Sequence, residues 1–399
     1  MIPLRSALPM LALTLAIAPP SGGSAAVTLL PAQIVAQADA PLGIKSSLRD
    51  LGRINPVDIA GVGSKQGAEV AQTLSLFGRE DLIAARSSNY RANGCAPLAG
   101  AGDVLDEIAR RAKQTSIVIV NESHERSEHR GFTAEVAERL RPLGYTIFAA
   151  EAFSNPEPGQ QRFLPSFLTR PKQPYLAYGD GHYIAEAGYG RLARRVKALG
   201  YRLDPYEITF DKLQASRGGA DEQVAVREEE EALNLLAIMK AHPGAKMLVH
   251  VGYSHAMEVP TEQGGRRMAM LLKAKTGVDP LTISQTTCRG GSPARRLAVL
   301  PAGEPAGAFD LVVDHPAATF VRGRPTWRQR AGDRIVEIPA SLRPTSGWRV
   351  IEARPVGEPT TSVPLDRVAI RAGEDVALML PTGRYELRAI AVPYVKPEA

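Results

Sequence analysis

Four apolar runs in this chain are each followed at once by residues able to titrate or to hold a metal. After Ser116–Val120 (SIVIV) come Asn121, Glu122, Ser123, His124 and Glu125, with His129 a little further on. Glu151 follows Thr146–Ala150 (TIFAA) directly. Asp204, Tyr206 and Glu207 follow Tyr201–Leu203, and Gly252-Tyr253-Ser254-His255 follows Lys246–Val251 (KMLVHV). Carboxylates and imidazoles are costly at the rim of an apolar core unless they are paired or serve a site. An imidazole titrating near neutrality can take a proton from water, and a carboxylate can fix its ring. The sequence therefore predicts a catalytic cluster of Glu122, His124, Glu151 and His255, with Arg227, Tyr206, His129 and Tyr253 as substrate-facing or supporting groups. His124, Glu151 and His255 also make up a donor set sufficient for a divalent metal.

Each residue has a plainer alternative. Glu122 could be a carboxylate at a helix start. Glu151 on an apolar strand would cost several kcal/mol if unpaired, so it calls for a histidine, an arginine or a metal. His129 lies about one and a half helical turns beyond His124, at the rim or on the surface. His250, inside a strand, reads as a satisfied core histidine. Arg227 opens an Arg-Glu-Glu-Glu-Glu run, most simply a solvated helix face, unless Arg227 itself turns inward. Tyr206 either donates to an oxyanion or packs. Several familiar sites are missing: His124-Glu125 and His129 are one residue too far apart for H-E-x-x-H, and there is no G-x-S-x-G elbow, Walker A loop, G-x-G-x-x-G after the first strand or C-x-x-C-H.

The elements that must position these groups alternate through residues 93–325. Further strand-like runs are Leu281–Ser284 and Asp310–Val313. Helical stripes run through Phe132, Val136 and Leu140, and through Leu192, Val196 and Leu199. A longer helix over Glu222–Ala241 is expected to turn Leu233, Leu236 and Ala237 inward, and Met268, Leu271 and Leu272 mark another. The pattern predicts an α/β fold, with a mostly parallel central sheet flanked by helices and its site at the carboxyl ends of the strands. Residues 326–399 read as a small β-rich C-terminal region, with strands at Ile335–Ile338, Trp348–Ala353, Val376–Leu380 and Tyr385–Val392.

The N-terminal part is read in two pieces. Residues 1–26 have the form of a signal peptide, with Arg5, an apolar run from Leu8 to Ala18 and Ser24-Ala25-Ala26 at the cleavage point. That predicts a periplasmic or secreted protein with no integral membrane segment in the mature chain. Residues 27–92 form a leader and N-terminal segment, expected to be mobile up to Pro56 and helical over Gln66–Leu82. The 399 residues carry 48 basic and 42 acidic side chains, a net charge of +6 without a basic block, so nucleic acid is not an expected partner. A small-molecule or peptide substrate is. In an oxidising compartment Cys95 and Cys288 can bond or stay free.

At Asn121-Glu122-Ser123-His124, at Leu143 to Glu151 (LGYTIFAAE) and at Gly252-Tyr253-Ser254-His255, the sequence resembles the erythromycin esterase/ChaN/Tiki superfamily. Arg227 is similar to an arginine that often opens a helix upstream of the last motif. Asn121 stands where the family usually has glycine. The likeness spans Ile117 to Gln285. It implies the α/β fold and a choice of activities: lactone hydrolysis in the esterases, metal-dependent peptide cleavage in Tiki-type members, and haem binding in ChaN-like ones. A hydrolase acting on an ester, lactone or amide is the leading expectation, with a divalent metal as a variant. A haem- or small-ligand-binding protein is the alternative, Tyr206, Tyr253 or a histidine serving as axial ligand.

Overall fold

The computed structural model describes residues 26–35, 40–54, 59, 67–157, 159–160, 164–216 and 218–395. Apart from Ala26, the expected signal peptide lies outside the described residues. The N-terminal segment supplies β1 (Val27–Val35), α1 (Lys45–Arg53), α2 (Ala68–Leu76) and α3 (Glu80–Ile83). The α/β part follows with α4 (Val104–Ala112), β2 (Ile117–Glu122), α5 (Ser127–Leu140), β3 (Tyr145–Ala150), α6 (Ser166–Thr169) and α7 (Ala187–Ala198). It continues with β4 (Arg202–Pro205), α8 (Phe210–Ala215), α9 (Ala220–Ala241), β5 (Lys246–Gly252), α10 (Met268–Thr276), β6 (Leu281–Ser284), β7 (Arg296–Ala298) and β8 (Leu311–Asp314).

Seven strands form the main sheet in the order β4-β3-β5-β2-β6-β8-β7. All neighbours run parallel except β7 against β8. The chain leaves β2 for one side, builds β3 and β4, returns as β5 between β3 and β2, and crosses to β6. Ligand clefts form where an open sheet reverses its winding in this way, and the carboxyl ends of β2, β3 and β5 lie there. Alternation along the strands sets the two faces. Val118, Val120 and Leu248 share a core with Phe132, Val136 and Leu140 of α5 and Leu192 and Val196 of α7. Ile117, Ile119, Met247 and Val249 pack with Leu235 of α9 and Met268, Leu271 and Leu272 of α10. Each such side chain contributes roughly 1.5–3 kcal/mol when fully buried.

Two expectations need correction. On α9 the inward residues are Glu228, Glu231, Ala232 and Leu235, whereas Leu233 is 39% exposed and Ala237 is exposed too. The buried stripe has the i, i+3, i+4, i+7 spacing of a helix, but two of its members are carboxylates, so apolarity alone pointed to the wrong face. The stretch expected to be a mobile leader contains β1, which pairs in parallel with β15.

The C-terminal part holds the hairpin β9 (Phe320–Val321) and β10 (Arg324–Pro325), the short α11 (Trp327–Arg330), and β11 (Arg334–Val336) paired with β14 (Leu378–Leu380). β12 (Trp348–Pro355), β13 (Asp366–Arg371) and β15 (Gly383–Ala391) join β1 in a four-stranded sheet of order β1-β15-β12-β13. One face of it (Val350, Ala369, Ile390) enters the core that covers the main sheet. The other (Ile351, Val368, Ile370, Leu387) builds a core of its own. Across the junction buried Glu352 meets Arg354 at 2.7 Å, Arg367 at 2.6 Å and the Tyr178 hydroxyl at 2.8 Å. Burial alone would raise the Glu352 carboxyl, but the two guanidiniums hold it down at about 2. Cys95, ahead of α4, is bonded to Cys288, after β6. Among the described residues no helix is long and apolar enough to cross a membrane.

Candidate functional site

Glu122, the last residue of β2, is fully buried and is the hub of one half of the site. Its Oε1 accepts from Arg130 Nη2 at 2.9 Å and from the Tyr189 hydroxyl at 3.1 Å, and lies 3.0 Å from His124 Nδ1. Its Oε2 is 2.9 Å from Arg130 Nε and 3.4 Å from His250 Nε2. Burial works to raise the carboxyl, but Arg130, with His250 and His124, holds it well below the usual carboxylate range. An ionised Glu122 beside Nδ1 leaves Nε2 as the base of His124. The imidazole is flanked by the rings of Tyr183 (centroids 4.6 Å apart) and Tyr253 (5.0 Å). Both tyrosines have positive φ, +29° and +39°, a region that side chains larger than glycine rarely enter.

Glu151, just past β3, anchors the other half. Its Oε2 accepts from the Gly252 N–H at 2.5 Å and its Oε1 from Arg227 Nη2 at 2.5 Å. Arg227 stands on α9 and grips Glu207 as well, its Nε donating at 2.9 Å, while Glu231 Oε1 lies 3.1 Å from the same Nε. Burial and the Glu207 charge push the Glu231 carboxyl well up, against the pull of Arg227. His255 sits 3.3 Å from Arg227 Nη1 through Nε2 and 2.9 Å from Glu228 Oε1 through Nδ1. The two halves meet at Gly252. A Cβ there would stand 2.7 Å from His124 Cε1 and 3.0 Å from Glu151 Oε2, so only glycine lets β5 end between them.

A cavity of about 780 Å³ opens over this junction, walled by His124, Glu151, Tyr183, Glu207, Phe210 and Arg227 among others. A second, of about 450 Å³, shares Gln72, His124 and Tyr183 with it and reaches Glu69 and Glu186. The structure thus gathers Glu122, His124, Glu151, Arg227 and His255, but only His124, Glu151 and Arg227 of these line the larger cavity. Tyr206 is buried and donates its hydroxyl to the His250 carbonyl at 3.1 Å. The Tyr253 hydroxyl is 3.3 Å from Ser123 Oγ. His129, left between rim and surface by the sequence, is buried, and its Nδ1 accepts from Ser123 N–H at 2.9 Å, bracing the turn before His124. Asn121 spans from Tyr253 O (2.7 Å) to Gln285 N–H (2.7 Å), tying β2, β5 and β6 together where a glycine would leave a gap.

Sequence reasoning missed Arg130, Glu228, Glu231 and Tyr183, and set His250 aside. A signal for Arg130 existed: it shares the buried i, i+3, i+7 stripe of α5 with Thr133 and Ala137. An arginine on an inward stripe must find a carboxylate. The glutamates of the charge run obey the same rule on α9. Nothing in the sequence marked Tyr183.

The expected metal set needs correction. Among the described residues, the donor groups whose atoms converge within 4.8 Å are Glu228, Glu231 and His255, and Glu151, Glu207 and Glu231. His124, Glu151 and His255 are not such a group. The guanidinium of Arg227 already sits among Glu151, Glu207 and Glu231 as the compensating cation. Glu228 is committed to Arg267 Nη1 (2.9 Å) and Met268 N–H (2.6 Å). The group with Glu151 and Glu207 thus has a cation in place, whereas both Glu231 carboxylate oxygens and His255 Nδ1 are buried without a hydrogen-bond partner and could, with Glu228, hold a metal. Of the two tyrosines named as haem ligands, Tyr206 gives its hydroxyl to a backbone carbonyl, and Tyr253 makes only the 3.3 Å contact with Ser123.

No family model matches the chain, and no curated protein matches it. Among solved structures it is similar to ChaN of Campylobacter jejuni, described with cofacial haem, at 12% identity and a TM-score of 0.36, over 52% of this chain and 90% of that one. It is also similar to RRSP, a MARTX toxin effector domain from Vibrio vulnificus, at 14% identity and a TM-score of 0.36, over 68% and 47% of the two chains. The type III effector HopBA1 matches at 15% identity and a TM-score of 0.35, over 58% and 99%. These are weak, fold-level likenesses.

Proposed function

We propose that the chain is a hydrolase of esters, lactones or amides in which His124 is the general base. The observation that carries this is the Glu122–His124 pair: a buried, ionised carboxylate 3.0 Å from Nδ1 of an imidazole that lines a cavity of about 780 Å³. Glu122 orients the ring and stabilises the imidazolium formed when Nε2 takes a proton from water. Arg227, held by Glu151 and Glu207, supplies fixed positive charge to the cleft wall. His255 acts through Arg227 and positions it. The bonded cysteines and the signal-like residues 1–26 support placing this hydrolase outside the cytoplasm.

The test is turnover of a panel of nitrophenyl esters, lactones and peptide anilides by wild type and His124→Ala, with and without a chelator. The expected result is a rate lower by ~10²–10⁴ in the variant and no effect of chelation, because a guanidinium fills the carboxylate cluster. Full activity in His124→Ala removes the general-base assignment. Activity lost on chelation and restored by zinc replaces Arg227 with a metal. Haem or small-ligand binding without turnover in either protein turns the reading to a binding protein.

A further inference from the structure

We infer that Tyr183 is a catalytic residue whose hydroxyl donates the hydrogen bond that receives negative charge on the substrate's carbonyl oxygen. The inference rests on the hydrolase reading and assigns the one group that reading lacks, a neutral donor beside the base.

Three observations lead to it. The first is position. Tyr183 lines both cavities, as does His124, and its ring centroid is 4.6 Å from that of the imidazole. A carbonyl carbon approached by water from His124 Nε2 therefore has Tyr183 for a neighbour.

The second is an unused hydroxyl. The other tyrosines around the site are committed: Tyr189 to Glu122, Tyr206 to the His250 carbonyl, Tyr253 to Ser123, Tyr178 to Glu352. The Tyr183 hydroxyl has no hydrogen-bond partner among the described residues, and its residue lines both cavities.

The third is strain with a cause. The loop before Tyr183 is clamped to the end of β3 by two hydrogen bonds, His182 N–H to Ala152 O at 2.8 Å and Ser154 N–H to Asp180 O at 2.9 Å. Gly181 lies so close that a Cβ would stand 1.9 Å from Ala152 O. Buried Asp180 accepts from Ser166 N–H and Ala177 N–H and fixes the loop's other end. Tyr183, next after this clamp, has φ +29°, and strained residues of this kind persist where the surroundings over-determine them. Burial, then Glu151, Tyr189 and Glu122, oppose its ionisation, so the group keeps its proton and serves as donor, not as base.

Water oxygen bonds to the carbonyl carbon, its proton passes to His124 Nε2, and the carbonyl π pair moves to oxygen, where the Tyr183 O–H meets it. When the π bond re-forms, the leaving group departs and takes the proton back from His124.

The experiment compares wild type, His124→Ala and Tyr183→Phe on the nitrophenyl ester that wild type hydrolyses fastest. The expected result is kcat lower by ~10²–10³ in Tyr183→Phe, KM changed less than threefold, the same pH profile as wild type and an unchanged Tm, since the ring still packs on His124. A purely structural tyrosine would leave kcat alone or lower Tm. If wild type is active, His124→Ala is dead and Tyr183→Phe stays within twofold of wild type, the inference is overturned and the hydrolase reading stands. If wild type shows no turnover, or His124→Ala keeps it, the reading fails and the inference with it.

Discussion

The charge that makes His124 useful is maintained by a residue that never touches the cleft's larger cavity. Arg130 is 1% exposed and spans Glu122 and Glu186, 2.9 Å from each, with its guanidinium 4.4 Å from the centre of the Tyr189 ring. Replacing it leaves two carboxylates in a dry place with no cation between them. Arg130→Met should therefore cost about 3–5 kcal/mol, the usual penalty for breaking a buried pair from one side. It should also lower turnover, because a Glu122 that regains a proton no longer orients the imidazole. Urea unfolding of the variant reads the first effect; an unshifted midpoint would mean that Glu122 is sustained by His124 and His250 alone.

At the scale of elements, the helix that was hardest to read matters most. The strands of the parallel sheet were legible because each is a short apolar run with a clear boundary, and the rule that ligands gather at strand carboxyl ends marks Glu122, His124, Glu151 and Gly252-Tyr253-Ser254-His255 as candidates from the sequence alone. α9 was not, because a run of Arg and Glu looks solvated when the partners that bury it lie on other elements. β1 was missed for a related reason: nothing in Val27–Val35 announces that a strand more than 350 residues away will accept it in parallel. Glu228 shows what such residues do. From α9 it receives the Met268 N–H at the start of α10 and pairs with Arg267 and His255, so it caps a neighbouring helix and steadies the site. Removing a charged acceptor from a buried donor costs about 1–3 kcal/mol. Glu228→Ala should lower stability by that amount, and Glu228→Gln should recover part of it through the retained carbonyl. Equal Tm values for Glu228→Ala and wild type would show that water replaces the cap.

Across the whole molecule, buried histidines make folding sensitive to acid. His315 is 1% exposed and gives Nε2 to Gln285 Oε1 at 2.8 Å. Burial first, then Arg126, Arg295 and Arg330, press its pKa well below the ordinary value. His129 is held down in the same way, and His250 to about 4. In the unfolded chain each takes a proton near pH 6.5, whereas the fold refuses it, so below that pH the unfolded state binds more protons and stability falls with the pH. Glu80 and Glu231, raised by burial, act in the opposite sense over part of the range. A comparison that cancels them is therefore the informative one. His315→Gln removes a single titrating group whose charged neighbours are all arginines. Between pH 6 and 5 the stability of wild type should fall more steeply than that of the variant by up to about 1.4 kcal/mol per pH unit, one proton's worth. Denaturant titrations at the two pH values read this directly. Parallel lines would mean that His315 is already protonated in the folded protein, and that the arginines around it are better shielded than their closeness implies.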